Sequence, residues 1–375
     1  MQALQGITVV DLSRVLAAPS CTQILADFGA RVIKIERPHT GDETRQWNPP
    51  NFTHADGSTT SAYFATVNRN KQSIAIDITT ADGQHTIKEL IKTADVLVEN
   101  FKVGNLAKYG LDYASLSAIN PRLIYASLTG FGQTGMDAHK AGYDYIIQGL
   151  SGLMSITGET DGQPQKVGVA VADLFAGLQL TVGILTALHA RTHTGKGQWV
   201  DVALLDSSIA MLANIGMNNL ATGDTPQRLG NSHASIVPYQ VFAASDGHFI
   251  VACGNDGQFA RLCAVLGQGW HSDERFATNP SRVMHRDTLV PMLQDVFIMH
   301  TRSHWIERLE SAGVPCGAIN DVAEALNLPQ VIEREMIHTF DNGVKVLGNP
   351  IKLSDTPATY RSPPPGLGEH NTIVF

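Results

Sequence analysis

The stretch GITVVDLSRVLAAPSCTQILADFGARVIKIER, residues 6–37, decides the fold. GITVVDLS is a short apolar run of the kind that fills a strand buried on both faces. PSCTQILADFG follows as a helix, with Pro19 near its start and Gly29 at its end as punctuation. RVIKIER is then a second strand. The alternation continues with the strand SIAIDIT, a helix over ADGQHTIKELIKTA, and the strands DVLVENF and RLIYASL. Strands alternating with helices predict βαβ units, hence an α/β fold whose mostly parallel sheet is covered on both faces.

Further along, VGVAVADLFAGLQLTVGILTALHARTHTGKG reads as a short strand and a long helix stopped by Gly-Lys-Gly. The run beginning QWVDVALLDSS gives another strand and helix, and GDTPQRLGNS has the composition of a linker. Beyond it the texture changes. YQVFAASDGHFIVACG is two strand runs around Asp246-Gly247, a hairpin signal. Helices over FARLCAVLG and HWIERLESAG then complete a smaller α+β module. The predicted boundaries are 1–222 for the large domain, 223–320 for the small domain with its linkers, and 321–375 for a Pro-rich segment returning to the large domain.

Composition narrows the function. Of the 375 residues, 43% are hydrophobic and 17% charged, an ordinary globular balance. A net charge of −8 disfavours nucleic acid as a partner, which would need clustered Lys and Arg. Four cysteines without a C-x-x-C pair argue against a zinc ribbon or disulfide framework and suit a reducing cytoplasm. The start MQALQGITVVDLS has no basic leader. The most apolar run, LFAGLQLTVGILTALHA, is broken by polar residues and glycines, so a buried helix is expected and no membrane span.

Among motifs, Glu36 ends the second strand where a ribose-binding acid would sit. The preceding turn, SRVLAAPS, lacks the G-x-G-x-x-G that lets a backbone approach a pyrophosphate. The glycine loops ASLTGFGQTG and CGNDGQ match no phosphate-binding fingerprint. His189 and His193 have metal-like i,i+4 spacing, but the last turns of a helix suit imidazolium and no H-E-x-x-H accompanies them, so no metal is expected. Asp173 in VGVAVADLFAG is the remaining candidate. Locally it is a good N-cap at a helix start. The same place suits a carboxylate nucleophile, ionised by the helix end and approachable between small neighbours.

Several separated segments together resemble the class III CoA-transferase family, of the formyl-CoA and carnitine CoA-transferase type. They are L-x-G-I-x-V-V-D-L-S-R-V-L-A-A-P, D-F-G-A-x-V-I-K-I-E-R-P with G-D-x-T-R, N-R-N-K-x-S-I-x-I-D, A-D-V-L-V-E-N-F, S-L-T-G-F-G-Q-T-G, V-A-D-L-F-A-G, T-G-K-G-Q-W-V-D-V-A-L-L-D and A-G-V-P-C-G. The resemblance implies a Rossmann-like large domain, an interlocked ring-like homodimer, no permanently bound cofactor, and acyl-CoA with a carboxylic acid as substrates. It makes Asp173 the nucleophile of an aspartyl anhydride and aspartyl-CoA relay. It assigns CoA contacts to Val15, Leu16, Ala17, Arg37, Lys71, Asn100, Phe101, Lys108 and Tyr143, and a mobile glycine loop over the acyl site to Gly254, Asn255, Asp256, Gly257 and Gln258. Lys108 stands where formyl-CoA transferase has arginine, and Leu16 where it has glutamine, which argues against formyl-CoA and oxalate.

The related α-methylacyl-CoA racemases carry His in A-G-H-D. Here AGYDY places Tyr143, whose phenol class titrates near ~10 and makes a poor base at neutral pH. Transfer is therefore preferred to racemisation, with a racemase-like isomerase and a non-catalytic acyl-CoA-binding protein as alternatives. GYDYIIQGLSGLMSITGE and VGVAVADLFAG look most like members that move CoA from succinyl-CoA to glutarate or mesaconate. Arg14 or Arg45 is a candidate for holding a distal carboxylate.

Overall fold

A computed structural model describes residues 1–53 and 57–372. The chain divides into two units. Met1–Met154, Lys166–Asp224 and Pro329–Phe375 form the first; Ser155–Gln165 and Thr225–Leu328 form the second. Ser155–Gln165, placed with the large domain on sequence grounds, thus belongs to the second unit.

In the first unit, β1 (Thr8–Asp11), α1 (Ala17–Asp27) and β2 (Arg31–Glu36) follow the opening stretch. A small antiparallel pair, β3 (Asn51–Thr53) with β4 (Thr59–Ser61), and one turn of helix, α2 (Ala62–Ala65), come next. The chain continues through β5 (Lys71–Ala75), α3 (Ala81–Ile91), β6 (Val96–Glu99), α4 (Tyr113–Ile119), β7 (Ile124–Thr129), α5 (Asp144–Leu150), α6 (Val171–Thr194), β8 (Trp199–Ala203), α7 (Leu204–Met211) and α8 (Ala213–Thr222). Six strands pair in the order β5-β2-β1-β6-β7-β8, and every pairing is parallel.

Register explains why the central strands are apolar on both faces along most of their length. Val9 stands level with Val32 and Val96, and all three face the side covered by α1 and α6, among Leu25, Leu180 and Ile184. One residue on, Val10 stands level with Ile33 and Leu97 and faces the opposite side, with Ile87, Leu90 and Leu116 of α3 and α4. Neither face meets water, so strict alternation is absent. Each such buried Val or Leu contributes roughly 1.5–3 kcal/mol.

The sheet order has a functional consequence. From β1 the chain winds outward to β2 and β5, then returns to lay β6, β7 and β8 on the other side. The reversal leaves a crevice beyond the carboxyl ends of β1 and β6, the switch point where open α/β sheets bind ligands.

α6 buries Ala172, Ala176, Leu180, Ile184 and Ala187 along one side. It exposes Leu174, Leu178, Val182 and Leu185 along another. Among the described residues it is the one helix long and apolar enough to cross a membrane, yet its buried stripe packs in the sheet's own core. The strand expected just before it does not form. Val167–Ala170 carries no ladder, and α6 begins from an irregular segment.

The second unit holds β9 (Tyr239–Ala244), β10 (Gly247–Ala252), α9 (Asp256–Leu266), α10 (Asn279–Met284), α11 (Arg286–Phe297), α12 (Arg302–Ser311) and β11 (Cys316–Ala318). Its three strands pair antiparallel in the order β11-β10-β9, with the expected hairpin turning at Ser245-Asp246. Phe242, Phe249, Phe297 and Trp305 centre its core. Buried Arg282 donates to Val237 O (2.7 Å), Phe276 O (3.0 Å) and Asp256 Oδ1 (2.8 Å).

Candidate active site

Asp173 is not the cap of its helix. The N-cap is Ala170, which has no side-chain acceptor, and Asp173 is the third residue of the first turn. The orphan amides are taken by Asp144, the first residue of α5: its Oδ1 accepts from Ala172 N–H (2.8 Å) and Asp173 N–H (3.3 Å). Asp144 was not picked out from the sequence, because a cap supplied from another element leaves no local signature. Gln148 was likewise silent. Its Nε2 donates to Asp144 Oδ2 (2.7 Å), while its Oε1 accepts from Val167 N–H (2.9 Å).

The Asp173 carboxylate accepts no hydrogen bond from any described residue. Burial pushes its pKa up to about 7, with the charge of Asp144 adding to the rise. The sequence-based expectation that the helix end keeps it ionised therefore fails in part, since that end is already occupied by another carboxylate. Across from it, burial and the charges of Asp173 and Asp144 raise the Tyr63 phenol as well.

A close helix contact fixes where Asp173 stands. A Cβ on Gly177 would lie 2.2 Å from Ser20 Oγ and 2.4 Å from Ala17 O. Only glycine lets α6 approach the head of α1 so closely, which brings Asp173 and the Val15–Ala17 backbone to one cleft. Gly130, from the glycine loop after β7, packs against Gly142; a Cβ on either would lie 2.4–2.5 Å from the other's Cα.

The cleft, about 270 Å³, opens at the switch point. Val15, Leu16, Ala17, Asn100, Phe101, Tyr143 and Asp173 all line it, seven of the ten first-unit positions expected from the sequence. Trp47 and Lys140 also line it and were not foreseen. Trp47 packs edge-on against Tyr63 at 4.9 Å. A neighbouring pocket of about 240 Å³ is lined by Arg37 and Lys108. Arg14 and Phe101 belong to both walls, the guanidinium lying 5.1 Å from the ring centroid.

The wall between β1 and α1 is held under strain. Val15 has φ +72°, a left-handed conformation that a β-branched residue avoids. Asn100 clamps the preceding residue, its Oδ1 accepting from Arg14 N–H (3.0 Å) and its Nδ2 donating to Arg14 O (2.7 Å). Asp42 accepts from Val15 N–H (3.2 Å) and is ion-paired with wholly buried Lys34 (2.9 Å).

Three expectations need correction. Lys71 is not a nucleotide contact: it is fully enclosed, with Nζ donating to Asp11 Oδ2 (3.1 Å), Pro19 O (3.0 Å) and Asn68 Oδ1 (3.2 Å). Burial lowers its pKa to about 8, against the opposing pull of Asp11. Arg45 is committed to structure, bonding both oxygens of Glu36 (2.8 and 2.7 Å) and lying 3.8 Å over the Phe64 ring. Of the segment Gly254–Gln258, three residues are helical: Asn255 caps α9 through Gln258 N–H (2.9 Å), and Asp256, Gly257 and Gln258 form its first turn. Gln258 Oε1 also accepts from Gly254 N–H (2.6 Å). Among the described residues no group of three His, Cys, Asp or Glu could hold a metal, and His189 and His193 simply pack edge-on.

A family model for CoA-transferase family III matches residues 4–371. The chain is 49% identical over 378 residues to a protein of Agrobacterium fabrum named succinate–glutarate CoA-transferase, spanning 99% of this chain and 94% of that one. It is 42% identical over 372 residues to an Acetobacter aceti protein named acetyl-CoA:oxalate CoA-transferase, spanning 98% and 94%. The crystal structure of a CAIB/BAIF family protein from Brucella suis matches with a TM-score of 0.89 at 48% identity, covering 99% of this chain and 98% of that one.

Proposed function

The chain belongs to CoA-transferase family III, and we propose from that premise that it moves CoA from succinyl-CoA to a second dicarboxylate such as glutarate, with Asp173 as nucleophile. The observation that carries this reading is a carboxylate with no hydrogen-bond donor, set in a cleft at the switch point.

In the first step an Asp173 oxygen attacks the thioester carbonyl carbon, the C–S bond breaks, and CoA leaves as thiolate from an aspartyl acyl anhydride. The thiolate attacks the Asp173 carbonyl carbon, releasing the donor carboxylate and leaving an aspartyl-CoA thioester. The acceptor carboxylate then displaces thiolate to form a second anhydride. Thiolate attack on the acceptor's acyl carbon completes the transfer and frees Asp173. Each attack exchanges one acyl bond for another, so protons and electrons balance without a metal or redox cofactor, and CoA enters only as substrate. Covalent relay replaces one inaccessible exchange by four feasible ones.

The pocket lined by Arg37 and Lys108 suits the anionic nucleotide of CoA, and Phe101 and Arg14 lead from it to Asp173. Arg14, whose ion pair with Glu43 is open to solvent on both sides, is the candidate for the distal carboxylate once Arg45, held by buried Glu36, is set aside. The name of the Agrobacterium relative supports dicarboxylates of this size. The Acetobacter name favours a second reading, with oxalate as acceptor. Leu16 in the cleft wall, which offers no hydrogen bond, argues for the longer acid. Racemisation is disfavoured because Tyr143, at the position of the racemases' histidine base, lines the cleft with a phenol, a poor base at neutral pH.

We assign the protein to the cytoplasm as a homodimer. Four free thiols support the first, and the exposed apolar stripe of Leu174, Leu178, Val182 and Leu185 on α6 supports the second. The test is CoA exchange from succinyl-CoA across glutarate, mesaconate, oxalate and acetate. Exchange should be fastest with the five-carbon diacids, and a CoA adduct should be trapped on Asp173. Full activity in Asp173→Asn would overturn the mechanism, and deuterium entering C2 of a 2-methylacyl-CoA without exchange would favour the isomerase.

A further inference from the structure

The head of α6 presents a conflict. A helix N-terminus stabilises negative charge, and a catalytic carboxylate in its first turn would ordinarily benefit. Here the benefit goes to a different carboxylate, since Asp144 Oδ1 holds the amides of Ala172 (2.8 Å) and Asp173 (3.3 Å). Asp144 cannot swing away, because buried Gln148 grips its other oxygen (2.7 Å) and is itself held by Val167 N–H (2.9 Å). Asp173 is left without a donor and with a negative neighbour.

We propose that Asp144 is a positioning residue for the transfer: it anchors the first turn of α6 and, by its charge, keeps the Asp173 carboxylate unsatisfied and electron-rich. This rests on the reading that Asp173 is the nucleophile. The chemical value lies in balance. A carboxylate stabilised by helix amides attacks a thioester weakly, and its own anhydride and thioester would be over-activated. Denying it those amides strengthens it as a nucleophile. The groups facing Asp173 are Asp144 from α5 and Tyr63 from α2, with Arg14, Glu43, Lys140 and Tyr143 around the cleft.

The test uses Asp144→Asn, which keeps an acceptor for the two amides and removes the charge, with Asp144→Ala, which removes both. Two readouts are followed in the full chain: the ¹³C carboxyl titration of Asp173, assigned by Asp173→Asn, and the pH profile of kcat/KM. In Asp144→Asn both the titration midpoint and the acidic limb should move down together by about one pH unit. Above the limb kcat should fall several-fold while KM for acyl-CoA holds. A merely structural role would lower activity without moving either midpoint, and that result overturns the proposal. If neither variant folds, the wild-type titration decides, and a midpoint below 5 overturns it. If Asp173→Asn still transfers CoA while the midpoint moves with Asp144, the nucleophile reading fails and the coupling stands.

Discussion

Replacing Asp173 by Asn should abolish transfer and at the same time stabilise the protein, by an amount that grows with pH. In the folded state the group titrates near 7, against 3.8 for the ordinary carboxyl. Below 3.8 the side chain is protonated folded or unfolded, so it adds no penalty. Between the two values the unfolded chain releases a proton that the folded chain retains, and stability falls as pH rises. Above 7 the penalty is complete. About three pH units at 1.36 kcal/mol each set an upper bound of about 4 kcal/mol, and partial exposure to solvent reduces the expectation to about 2 kcal/mol. Asn carries no charge at any pH, so the difference between variant and wild type traces this penalty directly. Urea midpoints at pH 5, 6, 7 and 8 without substrate give the curve, and hydrogen exchange of the α6 amides gives a local check. A difference that stays flat across this range, or a variant progressively less stable toward pH 8, would refute the reasoning. Activity of the wild type should rise along the same limb, because only the ionised carboxylate attacks.

Other outcomes separate ligand contacts from architecture. Asn100→Ala releases both bonds to the Arg14 backbone and should raise KM for acyl-CoA about tenfold, the effect of roughly 1–2 kcal/mol in lost hydrogen bonds, as steady-state kinetics will read. Lys71→Met strands the Asp11 carboxylate in the core, costing about 3–5 kcal/mol in thermal or chemical unfolding, whereas Arg37→Ala should leave stability unchanged and weaken CoA binding in calorimetry. Gly177→Ala forces α6 off Ala17 and Ser20 and should destabilise by about 1–3 kcal/mol while lowering kcat. Val182→Glu on the exposed stripe should convert a dimer to a monomer in light scattering and leave the circular dichroism unchanged.

The fold was legible because the buried strands carry their own evidence. In a run such as ITVVDL the apolar residues Val9 and Val10 are consecutive and do not alternate, which a sheet covered on both faces explains, and the family resemblance is borne out across the chain. Boundaries were less exact. α1 starts at Ala17, two residues before the proline taken as its opening, because proline is tolerated anywhere in a first turn whose amides lack partners. Val167–Ala170 looked like a strand by composition but has no neighbouring strand to pair with. The cleft was legible in part. Asp173 and the loops after β1 and β6 line it as expected, while the enclosure of Lys71 and the bonds of Asp144 were not foreseen. Both depend on partners far along the chain, Asp11 for one and the amides of α6 for the other. Charge and spacing look the same whether a lysine meets a phosphate or a buried aspartate.

The seam at Gly177 also limits how such a protein can change its substrates. Hydrogen is the largest side chain that fits there, so the floor of the reaction chamber cannot be widened by moving the two helices apart in small steps. If Asp173 is the nucleophile as proposed, a longer or shorter acid would be accommodated at the rim, at Leu16, Trp47 and Tyr143, where substitutions alter the opening and leave Asp173 in place. Chemistry and selectivity are thereby assigned to parts of the wall that can vary independently.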